Sequence, residues 1–196
     1  MTRTILHHLA AALLAVVGLL PALPASGCTS ILVGKKASAC GSAFITYNQD
    51  DYGMYGRLIY LPAARHAKGD MRRIVNGDNN HFMGFIPEAE QTYAVMGYIN
   101  EHQVAITETT FGGREELHDT TGIIDYTSLI TLALQRSRTA REAISVMTTL
   151  VQQHGYASEG ESFSIADPNE VWILEMIGKG GHERGAVWVA VRIPDD

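Results

Sequence analysis

The stretch Ala25-Ser26-Gly27-Cys28-Thr29-Ser30-Ile31-Leu32-Val33-Gly34 decides how this chain is read. Its first three residues end a leader, its last six begin a β-strand, and Cys28 stands at the seam. Upstream, Arg3 is the only charge, Leu9 to Leu20 is almost wholly apolar, and Pro21 and Pro24 end the helix. Small residues at Ala25 and Gly27 then suit a signal peptidase, so residues 1–27 are expected to be a cleaved signal peptide. The apolar run is shorter than the ~20 residues that span a bilayer and has no positive flank on its C-terminal side. Residues 28–196 are left as one domain, secreted or periplasmic.

Downstream, Thr29 to Gly34 and Ser42 to Asn48 read as a hairpin joined by the polar turn Lys35 to Gly41. Cys28 then lies at the open end, beside Asn48 to Asp50, and Cys40 lies in the turn. About six strand residues at ~3.3 Å each hold the two sulfurs roughly 20 Å apart, too far for a disulfide. Tyr93 to Ile99 and Val104 to Thr110 form a second expected strand pair around Asn100 to Gln103. Asp125 caps one helix, and Thr139 with Glu142 forms a capping box for another that stops at Gly155. Strands return at Ser162 to Ala166, Val171 to Met176 and Ala186 to Ile193. Strands, a helical pair and strands again describe an α+β fold with helices packed on antiparallel sheet.

The net charge of −6 and a longest basic run of Arg72-Arg73 argue against a nucleic-acid partner. His102, His118, His154 and His182 lack metal-ligand spacing and read as surface residues. Gly178 to Gly185 fails the spacing of a nucleotide cradle and reads as a loop. Met147 and Met176 read as core.

If Cys28 becomes the first residue, one residue carries both a thiol and a free α-amine. Such an amine has a reference pKa of ~7.7–8.0, so near neutrality part of it is unprotonated and able to take the thiol proton. No separate catalytic histidine is then needed. The competing reading is a lipoprotein or binding module anchored through a lipidated Cys28. Ala25 stands where a lipoprotein site prefers a large aliphatic, and Ile31-Leu32-Val33 leaves no room for a polar tether.

Several longer stretches carry a family resemblance: Cys28 to Ser38, Tyr47 to Asp51, Asn100 to Leu117, Ala133 to Met147, Glu161 to Glu175 and Gly185 to Asp195. With them the chain resembles the secreted cysteine dipeptidases of the dipeptidase A type, within the N-terminal nucleophile hydrolases. The resemblance implies a partial αββα sandwich, dipeptide substrates, an acyl-enzyme on Cys28, and neither metal nor cofactor. The wider superfamily ends its second strand with Arg-Asn-x-Asp, and this chain has Tyr47-Asn48-Gln49-Asp50. Asp50 is thereby expected to orient the amine and Asn48 to bind or orient substrate, while Tyr47 replaces the arginine. Thr110 falls where relatives place an oxyanion donor. Family members are usually much longer, so the chain is read as the N-terminal part of the catalytic domain.

Overall fold

The structure, a computed structural model, describes residues 28–50, 58–181 and 183–195. The expected signal peptide and His182 lie outside them.

Strands β1 (Thr29–Val33) and β2 (Phe44–Asn48) form the expected hairpin, in register from Thr29↔Asn48 to Val33↔Phe44. Both cysteines are free, and Ser38 Oγ lies 3.1 Å from Cys40 Sγ in the turn. The next segment holds short strands to which the sequence pattern assigned nothing. They are β3 (Tyr60–Leu61), β4 (Ala64–Arg65), β5 (Met71–Val75), β6 (Phe82–Pro87) and β7 (Gln91–Thr92). β5 and β6 make a separate hairpin, and β4 pairs with β7.

The strand expected over Tyr93 to Ile99 is two strands, β8 (Val95–Met96) and β9 (Ile99–Asn100), folded back on each other. The break is at Gly97, whose φ of 58° turns the chain where a continuous strand would run straight. β10 (Ala105–Gly112) meets β9 only at Ala105↔Ile99.

Helices α1 (Tyr126–Arg136) and α2 (Ala140–His154) start where their caps predict. Asp125 accepts the Ser128 N–H at 3.2 Å and Thr139 accepts that of Glu142 at 3.2 Å. The Glu142 carboxylate reaches back to Arg138 N at 2.7 Å. Gly155 ends α2 with φ 78°. The chain closes with β11 (Gly160–Ala166), β12 (Val171–Gly178) and β13 (Ala186–Arg192).

The main sheet has seven strands in the order β13-β12-β11-β10-β9-β8-β3, joined by antiparallel pairs. Its two faces follow from the period of two. Ile106, Glu108 and Thr110 share one face with Phe163, Ile165, Leu174 and Met176. The helices cover that face, as shown by Arg141 of α2 lying 4.8 Å over the Trp172 ring. Met147, Leu129, Phe163 and Leu174 are buried there, and Met147 and Met176 are core as expected. Thr107, Thr109, Ser162 and Ser164 share the other face. The β1–β2 hairpin lies over it, with Ser30 Oγ 3.3 Å from Thr109 Oγ1. Helices, main sheet and hairpin are thus stacked as three layers of the expected αββα arrangement. The outer face of the hairpin leaves Ile31 58% exposed.

Candidate active site

Cys28 immediately precedes β1, so the register that pairs Thr29 with Asn48 sets Cys28 level with Gln49. Asp50 follows one residue on, and its carboxylate accepts a 2.6 Å hydrogen bond from Asn48 Nδ2. The hairpin therefore gathers Cys28, Asn48 and Asp50 at one end.

Ser30 and Tyr47 are cross-strand partners on the sheet-facing side of the hairpin. Tyr47 Oη comes to 3.8 Å from Cys28 Sγ and donates to Glu108 Oε1 at 2.6 Å. Beside them β9 meets β10 at Ala105↔Ile99, and Ile106 N–H donates to Tyr98 O at 3.0 Å. Tyr98, in the β8–β9 turn, stacks edge-on against Tyr47 with centroids 5.6 Å apart. Burial first, and then the bond to Glu108, push the Tyr47 hydroxyl far above the ordinary phenol range. It stays protonated and acts as a fixed donor to Glu108.

Glu108 and Glu161 are 4% and 1% exposed, and each has one carboxyl oxygen without a conventional donor. Thr110 Oγ1 donates to the other oxygen of Glu161 at 2.8 Å. Its hydrogen is thereby committed, and donating to a substrate oxyanion would require that bond to break. Burial raises Glu161 to about 9, opposed by the Thr110 hydrogen bond and reinforced by the Glu108 charge and hydrogen bond. Burial thus favours the protonated form of Glu161 at neutral pH.

This raised affinity has a consequence for stability. The folded state binds the Glu161 proton more tightly than the unfolded chain does. Its contribution is therefore complete below the ordinary value of 4.5 and is lost as pH rises toward 9. Glu161→Gln keeps the shape without the ionisation. The wild type is expected to lose about 4 kcal/mol more than this variant between pH 5 and pH 8. Urea unfolding of both proteins at the two pH values measures it, and parallel losses would contradict a protonated Glu161 in the folded state.

Tyr47, Glu108 and Tyr98 form one wall of a cleft of about 520 Å³, within the usual range for small-molecule sites. Arg72, Asp78 and Tyr126 line it farther along. Tyr126 Oη donates to Asp78 at 2.9 Å, and Arg72 is 3.6 Å from the Glu88 carboxylate. Among the described residues, no three His, Cys, Asp or Glu side chains converge as a metal ion would require. His118 is exposed, whereas His102 and His154 are half-buried, His102 packing edge-on against Tyr93.

The sequence model of peptidase family C69 matches residues 27–196. A probable dipeptidase of Latilactobacillus sakei is 30% identical over 194 residues, covering 87% of this chain and 38% of the relative. A dipeptidase of Bifidobacterium longum is 29% identical over 197 residues, covering 86% and 36%. Probable dipeptidase B of Lactococcus lactis is 34% identical over 189 residues, covering 86% and 37%. The chain belongs to peptidase family C69. It spans about two fifths of the length of these curated relatives.

Proposed function

We propose that the mature chain begins at Cys28 and is an exported hydrolase that cleaves dipeptides through a thioester on that residue. The carrying observation is the half-buried Cys28 thiol at the head of β1, held 3.8 Å from a tyrosine that lines the cleft. The family and the names of its relatives support a peptide substrate. A dipeptide is a zwitterion, and the cleft offers both signs of charge in Arg72 and in Asp78 and Glu108.

The α-amine of Cys28 takes the thiol proton, so the S–H bond breaks as an N–H bond forms. The sulfur pair attacks the peptide carbonyl, and the C=O π pair moves onto oxygen. Collapse breaks the C–N bond, and the leaving amine takes the proton back from the α-ammonium. Water, activated by the same amine, then hydrolyses the thioester. In this reading Asp50, whose carboxylate accepts from Asn48, orients the amine.

The test is alkylation of mature protein in a Cys40→Ala background. Cys40 is exposed, and hydrogen bonds from Ser38 and Ser42 lower its thiol to about 7, so it would otherwise compete for the reagent. The expected result is one iodoacetamide adduct on Cys28, loss of dipeptide hydrolysis in parallel, and protection by dipeptide. A diacylglyceryl group on Cys28, or full turnover by the alkylated protein, would overturn the reading.

A further inference from the structure

We propose that the Tyr47 hydroxyl is a catalytic group that receives and aims the Cys28 thiol, with Glu108 and Glu161 as the positioning residues that hold Tyr47. This rests on reading Cys28 as the nucleophile. It adds what fixes the sulfur before the proton leaves it.

A cysteine side chain has one rotatable bond with three staggered positions, so a partner that holds the sulfur in one of them fixes its direction. Tyr47 Oη is the polar atom that meets Sγ, at 3.8 Å. Tyr47 has a single hydroxyl hydrogen, which lies in the short bond to Glu108 Oε1 at 2.6 Å. What it presents to Cys28 is therefore lone pairs, and the thiol is the donor. The chain of bonds has one direction throughout. Cys28 donates to Tyr47 and Tyr47 to Glu108, while Thr110 donates to the neighbouring Glu161.

The anchor of this chain is rigid. Glu108 and Glu161 sit on the central strands β10 and β11, on the helix-covered face of the main sheet, each less than a twentieth exposed. The Tyr47 ring is also held by its edge-on contact with Tyr98. For the α-amine to take the thiol proton, the S–H bond turns from Tyr47 toward the amine, while the Tyr47 hydrogen stays in its bond to Glu108, so no second proton has to move. A polar pair buried in this way is otherwise expensive to keep, which is consistent with a use for it.

The other groups near the carboxyl pair are Tyr98 from the β8–β9 turn, Asp125 and Tyr126 at the start of α1, Tyr156 after α2, and Glu159 before β11. The tyrosines Tyr98, Tyr126 and Tyr156 all have hydroxyls raised above the ordinary range, chiefly by burial, so they stay neutral as Glu161 titrates. Ionising Glu161 puts a negative charge beside Glu108, the acceptor that holds Tyr47. The thiol support should then be lost as pH rises through about 9.

The experiment measures kcat, KM and pH profiles of the matured full chain on a dipeptide. Tyr47→Phe keeps the ring and removes the oxygen, and should lower kcat about 10²-fold with KM little changed, the scale of a misplaced reacting group. Glu108→Leu should fall as far, Glu108→Gln should recover part of that loss because its amide oxygen still accepts from Tyr47, and the Tyr47→Phe, Glu108→Leu double variant should fall no further. Glu161→Gln should remove the fall in kcat/KM near pH 9. A Tyr47→Phe kcat within a factor of two of wild type overturns the proposal. If that variant does not fold, an unchanged alkaline limb in Glu161→Gln overturns it instead. Cys28→Ser in the same assay separates the two levels, because full activity there sinks the nucleophile assignment, whereas a dead Cys28→Ser beside an active Tyr47→Phe sinks only the role of Tyr47.

Discussion

Retaining Gly27 on Cys28 is expected to lower kcat/KM for dipeptides by about 10³-fold or more, with the fold intact. The reason is the identity of the base. In the mature chain the nitrogen of Cys28 is an amine with a lone pair, and its pKa of ~7.7–8.0 leaves a useful neutral fraction at pH 7. One added residue turns that nitrogen into an amide, which accepts no proton. Loss of a general base commonly costs 10² to 10⁴ in rate, and the described residues place no histidine beside Cys28 to substitute for it. The same logic gives the acid limb of the pH profile, with kcat/KM rising as pH climbs through the amine pKa. The comparison needs two preparations with verified N-termini, one beginning at Gly27 and one at Cys28, assayed on the same dipeptide. Equal turnover would remove the α-amine from the mechanism and leave the Cys28 thiol in need of another base.

What the sequence showed of this site, and what it did not, follows from the range of the interactions. The hairpin of β1 and β2 is local, and alternating apolar residues with a polar turn between them are enough to fix its register. That same local register puts Cys28, Asn48 and Asp50 at one end of the hairpin. The caps at Asp125 and Thr139 are also local, and both form. Tyr47 could be named only as a departure from a motif, because its partner Glu108 is 61 residues away. Glu108 and Glu161 did leave a signal. Glu108 falls two residues after Ile106, and Glu161 two before Phe163, so the period of two puts both acids on the face that carries buried apolar neighbours. An acid in such a place needs a partner. The two-residue strands β3, β4 and β7 left no comparable pattern, since they are too brief for alternation to show.

Asn100 was legible only as a turn residue, yet Asn100→Ala is expected to be among the most damaging substitutions outside the site, costing about 2–4 kcal/mol. The side chain is 5% exposed and uses its whole hydrogen-bonding capacity. Nδ2 donates to Leu134 O at 2.7 Å and to Ser137 O at 2.8 Å, carbonyls at the end of α1 that the helix itself leaves unpaired. Oδ1 accepts from His102 N and Val104 N, each at 3.0 Å. Alanine strands two carbonyls and two N–H groups in a buried place at once. Asn100→Asp retains the acceptor side but loses both donors and sets a carboxylate against two carbonyl oxygens, so it should be no better tolerated at pH 7 and should recover as the acid protonates. For a chain of this size the alanine variant corresponds to a fall in Tm of roughly 4–16 °C. The loss should reach the site too, because the turn that Asn100 pins carries Tyr98, the ring that packs against Tyr47. Thermal unfolding and dipeptide turnover measured on the same preparation test both links. A Tm within about 1 °C of wild type would mean that the four bonds are replaced by water, and that the β8–β9 turn is not fastened to α1 as drawn.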